Sequence, residues 1–282
     1  MRPRQWVKNG FVFMGFLFAT AWRQPGMSKR VVLTAIAYSL VASGVYILND
    51  LLDRKRDLEH PRKKARPIAS GKVSAAIAIL LLAVLWIAGG TLGLYVSRAV
   101  LLILLAYVGI NLLYSMGLRQ VVILDVFLIA AGFMLRILAG TTGVGIPPTQ
   151  WLLICGFMMA LFLGFAKRRA ELYALAGETS NHRRVLELYQ PVLLDKLIVI
   201  TATCVILTYS LYTMSPATIQ NHHTESLIYT APFVVYGIFR YIHKLHNSQT
   251  GTEPAVEIFR DPHMLLSLAG WLIMSLWLIS GT

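Results

Sequence analysis

Long apolar runs recur along this chain from residue 11 to its C-terminal end, and no other feature restricts its fold as much. Stretches of roughly 17–25 apolar residues mark membrane-spanning helices. Nine such spans are expected, near 10–22, 31–48, 75–95, 98–115, 121–140, 150–166, 192–213, 226–243 and 264–280. The first and sixth are short, so each is expected to be tilted, partly interfacial or extended by polar flanks. Composition agrees with a bilayer as solvent: 56% of residues are hydrophobic and 14% charged, where a soluble domain carries about 25% charged residues. The expected fold is an all-α membrane protein, a single integral membrane domain over residues 1–282.

A net charge of +13 would also suit a nucleic-acid binder, but the basic residues cluster between apolar runs. That distribution marks a cytoplasmic membrane face rather than a nucleic-acid groove. With the N-terminus inside, the cytoplasmic segments are 1–9, 49–74, 115–120, 167–191 and 244–263, and 21 of the 26 basic residues lie in or beside them. Arg23, Lys29, Arg30 and Arg98 fall outside, and Arg136 stands within a span. The expected orientation is therefore N-in and C-out, with both long charged loops on one side. Cys155 and Cys204 sit in apolar runs and read as inert packing residues. Residues 1–9 lead into the first run without a small-residue cleavage site, so no cleaved signal is expected.

The second run passes directly into Asn49-Asp50-Leu-Leu-Asp53-Arg-Lys-Arg-Asp57. If the helix continues, Asp50, Asp53 and Asp57 fall within about 60° of one another. Carboxylates so placed repel unless a cation joins them, and oxygen ligands of this kind suit Mg²⁺, with Mn²⁺ as a substitute. A solvated helix whose acids pair with Arg54, Lys55 and Arg56 would carry the same letters. The adjoining stretch favours a ligand: His60-Pro-Arg62-Lys-Lys64-Ala-Arg66-Pro-Ile-Ala-Ser-Gly71 sets cations beside the acids and closes on turn residues. Cations next to metal-binding carboxylates fit a phosphate-rich ligand.

Asn49-Asp50-x-x-Asp53-x-x-x-Asp57 followed by Arg66-Pro-Ile-Ala-Ser-Gly71 resembles the first signature of the UbiA superfamily of intramembrane prenyltransferases. The resemblance covers essentially the whole chain. It implies a nine-helix bundle around a central cavity, with Mg²⁺-bound diphosphate at its cytoplasmic mouth, held by Asn49, Asp50, Asp53 and Asp57. Typical members carry a second motif, Asp-x-x-x-Asp. Here the matching stretch has Asp125 but Ile129, so the pattern departs from that of ordinary prenyl transfer.

Other segments are similar to the branch of the superfamily that moves 5-phosphoribose from phosphoribosyl pyrophosphate (PRPP) to a polyprenyl, decaprenyl-type, phosphate. They are Arg2-Pro-Arg-Gln5-Trp-Val-Lys8-Asn9, Tyr114-Ser115 with Arg119 beyond it, Lys167-Arg168-Arg169-Ala-Glu171, and Glu253-Pro-Ala-Val-Glu257-Ile-Phe-Arg260-Asp261. The branch implies a bacterial inner-membrane enzyme releasing pyrophosphate, whose product leads toward decaprenylphosphoryl arabinose and cell-wall arabinan. It implies binding of PRPP and a polyprenyl phosphate lipid, no nucleic acid, and room for a homo-oligomer. The catalytic set would be Asp50, Asp53, Asp57 and Asp125. Substrate phosphates and sugar would meet Gln5, Lys8, Asn49, Arg62, Lys64, Arg66, Tyr114, Arg119, Arg136, Lys167, Arg168, Glu171 and Arg260.

Several of these have plain structural readings. Asp125 and Arg136 share a face of span five and would pair with neighbouring helices, or line a cavity. Lys167 and Glu171 are spaced for a surface pair, and Gln5 and Lys8 for a simple anchor. His243, His246, His222 and His223 read as solvated side chains. A prenyltransferase acting on an aromatic acceptor, and a transporter using Asp125 and Arg136, are the alternative functions.

Overall fold

The computed structural model describes residues 3–59, 63–175, 188–247 and 261–280. Its regular elements are all helical among those residues. Seven helical segments are long and apolar enough to cross a membrane: Met27–Leu52, Ala75–Val96, Arg98–Met116, Leu124–Val144, Gln150–Tyr173, Pro191–Met214 and Pro262–Ser280. The described residues divide into two compact units, one within Met1–Pro148 and the other from Thr149 onward.

In the first unit the chain begins as a 3-10 helix, Pro3–Phe13, followed by α1 (Met14–Phe18), α2 (Met27–Leu52), α3 (Arg54–Glu59), α4 (Ala75–Val96), α5 (Arg98–Met116) and α6 (Leu124–Ala139). The apolar run at 10–22 is thus not one continuous α-helix. Three residues per turn put Trp6, Asn9, Val12 and, beyond the 3-10 run, Gly15 in one stripe. Trp6 Nε1 donates to Ser43 Oγ at 3.3 Å and Asn9 Nδ2 to Ser39 Oγ at 2.8 Å. Val12 and Gly15 press on the end of α6. A Cβ on Gly140 would lie 1.7 Å from the Val12 carbonyl oxygen, and one on Gly15 would lie 1.9 Å from Thr141 Cγ2. Close packing along a period of three holds this segment in the tighter helix.

Helix α2 is the enclosed member of this unit, flanked by α4 and α5. Small residues set its spacing: a Cβ on Gly44 would lie 2.3 Å from Trp86 Nε1, whose N–H donates to the Val41 carbonyl. Ser74 and Ser97 cap α4 and α5 by accepting from Ile77 N and Val100 N.

The second unit holds α7 (Gln150–Leu175), α8 (Pro191–Met214), α9 (Pro216–His222), a 3-10 turn at Ser226–Thr230, α10 (Ala231–Asn247) and α11 (Pro262–Ser280). The run expected at 226–243 is therefore split between the 3-10 turn and α10. Proline at the first position starts α8, α9 and α11. His222, expected to be solvated, is instead 2% exposed, because α9 folds back on α8 and sets Nε2 3.2 Å from the Tyr212 hydroxyl. Asp261 caps α11 by accepting from His263 N and Met264 N. It also takes the Arg240 guanidinium at 2.9 Å and Lys244 Nζ at 3.3 Å. Arg240 foremost holds its carboxyl well below the usual carboxylate range.

Candidate active site

The acidic motif stands where α2 gives way to α3. Asp53 breaks the helix as the C-cap of α2, yet its N–H still bonds the Asn49 carbonyl at 2.9 Å, and Asp57 N–H bonds the Asp53 carbonyl at 2.8 Å. The i to i+4 spacing therefore survives the break, and Asp50, Asp53 and Asp57 stay on one side.

Each acid faces a guanidinium. Arg66 Nη1 lies 3.1 Å from Asp50 Oδ1 and 2.6 Å from Asp57 Oδ2. Arg119 forks onto both oxygens of Asp53, at 3.0 and 2.9 Å. This hydrogen bond holds the Arg119 proton more tightly than usual. Ser115 Oγ donates to Asn49 Oδ1 at 2.8 Å. The pairs 49–115 and 53–119 make two rungs one helical turn apart.

Local sequence explains both arginine positions. Ser70 N–H bonds the Arg66 carbonyl, Val73 N–H bonds the Pro67 carbonyl, and Gly71 takes a left-handed φ of +77°. Ile68, buried against Ile47, Ala78 and Leu85, pins this turn and so sets Arg66 over the acids. Gly117, at φ +154°, ends α5 and lets the 3-10 turn Leu118–Gln120 carry Arg119 toward Asp53. The proline and glycine signals of the sequence thus place the cations.

The donor set matches the chemistry of Mg²⁺: carboxylate and amide oxygens, few in number, leaving room for water and phosphate ligands. Among the described residues, no three Asp, Glu, His or Cys side chains form a ready metal cage. The carboxylates are held by arginines instead.

Asp125 lies in the first turn of α6 with no exposed surface, where the helix dipole favours a carboxylate. Before it, Ile123 adopts a φ of +69°, a strained conformation for a β-branched residue. Arg136 is 4% exposed. Its Nε donates to Asn9 Oδ1 at 2.9 Å, Nη1 to the Gly132 carbonyl at 2.7 Å and Nη2 to the Tyr107 hydroxyl at 3.2 Å. Its guanidinium also stands 4.9 Å from the Tyr38 and Tyr107 ring centres and 5.5 Å from Phe133. The structure thus gives Arg136 neutral partners that tie α6 to the N-terminal segment. Lys8 and Tyr114 are half-buried and Lys64 exposed.

In the second unit Glu171 holds both Lys167, at 3.9 Å, and the buried Arg168. Arg169 bonds Asp195 and the Leu245 carbonyl and lies over the Tyr173 ring at 4.5 Å. Arg62, Arg260 and the side chain of Gln5 fall outside the described residues, as does most of the stretch 253–261. Asn9 and Ser115 join these networks without being among the expected site residues. Both stand in segments that carry the resemblance, Arg2–Asn9 and Tyr114-Ser115, which was the signal that could have singled them out.

The profile of the UbiA prenyltransferase family matches residues 10–279. The chain belongs to the UbiA prenyltransferase family. Its curated UbiA-type relatives include the decaprenyl-phosphate phosphoribosyltransferase of Corynebacterium glutamicum, 30% identical over 95% of this chain and 82% of that protein. The enzyme of the same name from Mycobacterium tuberculosis is 28% identical over 96% of this chain and 90% of that protein. A solved UbiA homolog from Archaeoglobus fulgidus, bound to DMAPP and Mg²⁺, aligns over 100% of this chain and 98% of that one, with a TM-score of 0.73 and 15% identity. The chain is a multi-pass UbiA membrane protein.

Proposed function

We propose that this protein is a Mg²⁺-dependent polyprenyl-phosphate phosphoribosyltransferase, moving 5-phosphoribose from PRPP to a decaprenyl-type phosphate and releasing pyrophosphate. The observation that carries the reading is the gathering of Asn49, Asp50, Asp53 and Asp57 with Arg66 and Arg119 at one end of the first unit. The relatives named as decaprenyl-phosphate phosphoribosyltransferases supply the sugar and the lipid, and Ile129 in place of a second acid argues against ordinary prenyl transfer. The active face is assigned to the cytoplasmic side of a bacterial inner membrane, in a nine-span, N-in domain, upstream of cell-wall arabinan.

In this reading Asp50, Asp53 and Asp57, with the Asn49 amide oxygen, would hold the metal, which would supply positive charge to the leaving diphosphate. Arg66 and Arg119 take phosphate oxygens. Lys64 is assigned to a further phosphate. The lipid phosphate oxygen attacks ribose C1 as the C1–O bond to pyrophosphate breaks, inverting C1. That oxygen is already ionised, so no strong general base is needed, and positioning with electrostatics carries the rate. Purified protein is incubated with labelled PRPP and polyprenyl phosphate, or with labelled prenyl diphosphate and an aromatic acceptor. Labelled lipid is expected only from PRPP, and Asp50→Ala abolishes it. Product from prenyl diphosphate alone, or full activity of Asp50→Ala, would refute the assignment.

A further inference from the structure

The acids of the motif find cationic partners within the chain itself. Arg66 bridges Asp50 and Asp57, and Arg119 forks onto Asp53. The carboxylates are shielded, with side-chain exposures of 15%, 5% and 22%, so solvent screens these pairs less than surface ones. A bare divalent cation entering here must separate carboxylates from guanidiniums. It would leave two positive side chains beside a dication, each having lost its anion. Like charge at such distances opposes entry.

A metal arriving on a diphosphate meets a different balance. The phosphate oxygens it carries accept the same forked guanidinium bonds that the carboxylates gave up. Geometry allows the transfer. Both arginine backbones are fixed, by the Ile68-anchored turn and by the turn after Gly117, while their long side chains remain 28% and 16% exposed. We propose that Arg66 and Arg119 are exchange counter-ions, which occupy the carboxylates until metal and diphosphate enter together and then move to the diphosphate. They make the site selective for the metal-diphosphate complex over the free metal. This inference rests on the metal-diphosphate reading of the same site.

The test measures protein-bound Mn²⁺ by equilibrium dialysis of the full chain in detergent, with and without PRPP. The wild type is expected to hold Mn²⁺ weakly alone and at least about tenfold more tightly with PRPP. Arg119→Gln is expected to move the two affinities in opposite directions: about tenfold tighter for Mn²⁺ alone and about tenfold weaker with PRPP. A merely structural role would weaken both. Unchanged or weaker binding of Mn²⁺ alone in a folded Arg119→Gln overturns the proposal. If that variant does not fold, Arg119→Met, which likewise removes the charge and keeps the length of the side chain, decides on the same criterion. Asp53→Asn separates the two levels: Mn²⁺ binding with PRPP that survives this change refutes the metal reading itself. Loss of binding there, with no gain in the Arg119 variants, refutes the exchange alone.

Discussion

Removing the Asn9 side chain should loosen the first unit by an amount the structure lets one work out. Both ends of the amide are engaged, Oδ1 by Arg136 Nε at 2.9 Å and Nδ2 with Ser39 Oγ at 2.8 Å. An arginine only donates, so the amide orientation is fixed, and Ser39 passes its own proton to the Ala35 carbonyl. A bond to a charged group contributes about 1.5–3 kcal/mol in soluble proteins, while couplings within membranes average about 0.6 kcal/mol. Asn9 and Arg136 are each 4% exposed, which favours the upper range. Against that, the guanidinium keeps Gly132, Tyr107 and three aromatic faces. Asn9→Ala should therefore cost about 1.5 kcal/mol, roughly a tenfold shift toward the unfolded state. Asn9→Asp keeps the acceptor and loses only the bond to Ser39, so it should cost under about half as much. Reversible unfolding in mixed micelles measures both, and a double-mutant cycle with Arg136→Met should give a coupling of about 1 kcal/mol. Additive effects, or equal costs for alanine and aspartate, would refute this coupling of Asn9 to Arg136.

Three other contacts give outcomes that can be measured. Asp261 has a depressed carboxyl, so the stability it contributes is complete above its unfolded pKa of about 4 and is lost as pH falls through its lower folded value; melting temperatures of Asp261→Asn should accordingly fall less steeply than wild type below about pH 4. Gly44→Ala places a Cβ 2.3 Å from the Trp86 indole and should cost about 1–3 kcal/mol, read by the same micelle unfolding and reduced in a Trp86→Phe background. Ile123→Gly removes backbone strain of about 1–3 kcal/mol and some exposed apolar surface; a net gain of about 1 kcal/mol in stability is expected, and destabilisation would show that the φ of +69° carries no strain.

The parts of this fold legible in the sequence are those decided within a few residues. Apolar length marks the seven long helices, and the face shared by Asp50, Asp53 and Asp57 comes from helical spacing even through the break at Asp53. Proline and glycine between Arg66 and Gly71 announce a turn, and the turn is there. Contacts set by how helices pack lie beyond reach. Nothing near Asn49 names Ser115 as its partner, since the pair is separated by 66 residues and depends on the parallel descent of α2 and α5. The 3-10 path of Pro3–Phe13 is equally hidden, because Gly140 and Ser39, far along the chain, decide it. Pairing of Lys167 with Glu171 can be read from spacing, but not the burial of Arg168 against the same carboxylate.

The two acidic positions of the first unit differ in how their charge is met, and the difference bears on which ligand each suits. Asp50 and Asp53 are partly open and held by long cationic side chains. Asp125 has no exposed surface and sits in the first turn of α6, where backbone dipoles of that helix favour its charge. Withdrawing such a carboxylate from its surroundings would disturb the start of the helix, already strained at Ile123. With Ile129 one turn further on, this position offers a metal a single, enclosed oxygen donor group in place of two. If Arg66 and Arg119 exchange as proposed, one such cluster suits one metal-bound diphosphate. In the proposed phosphoribosyl transfer the remaining phosphates of donor and acceptor would require cations, and the chain carries a net charge of +13.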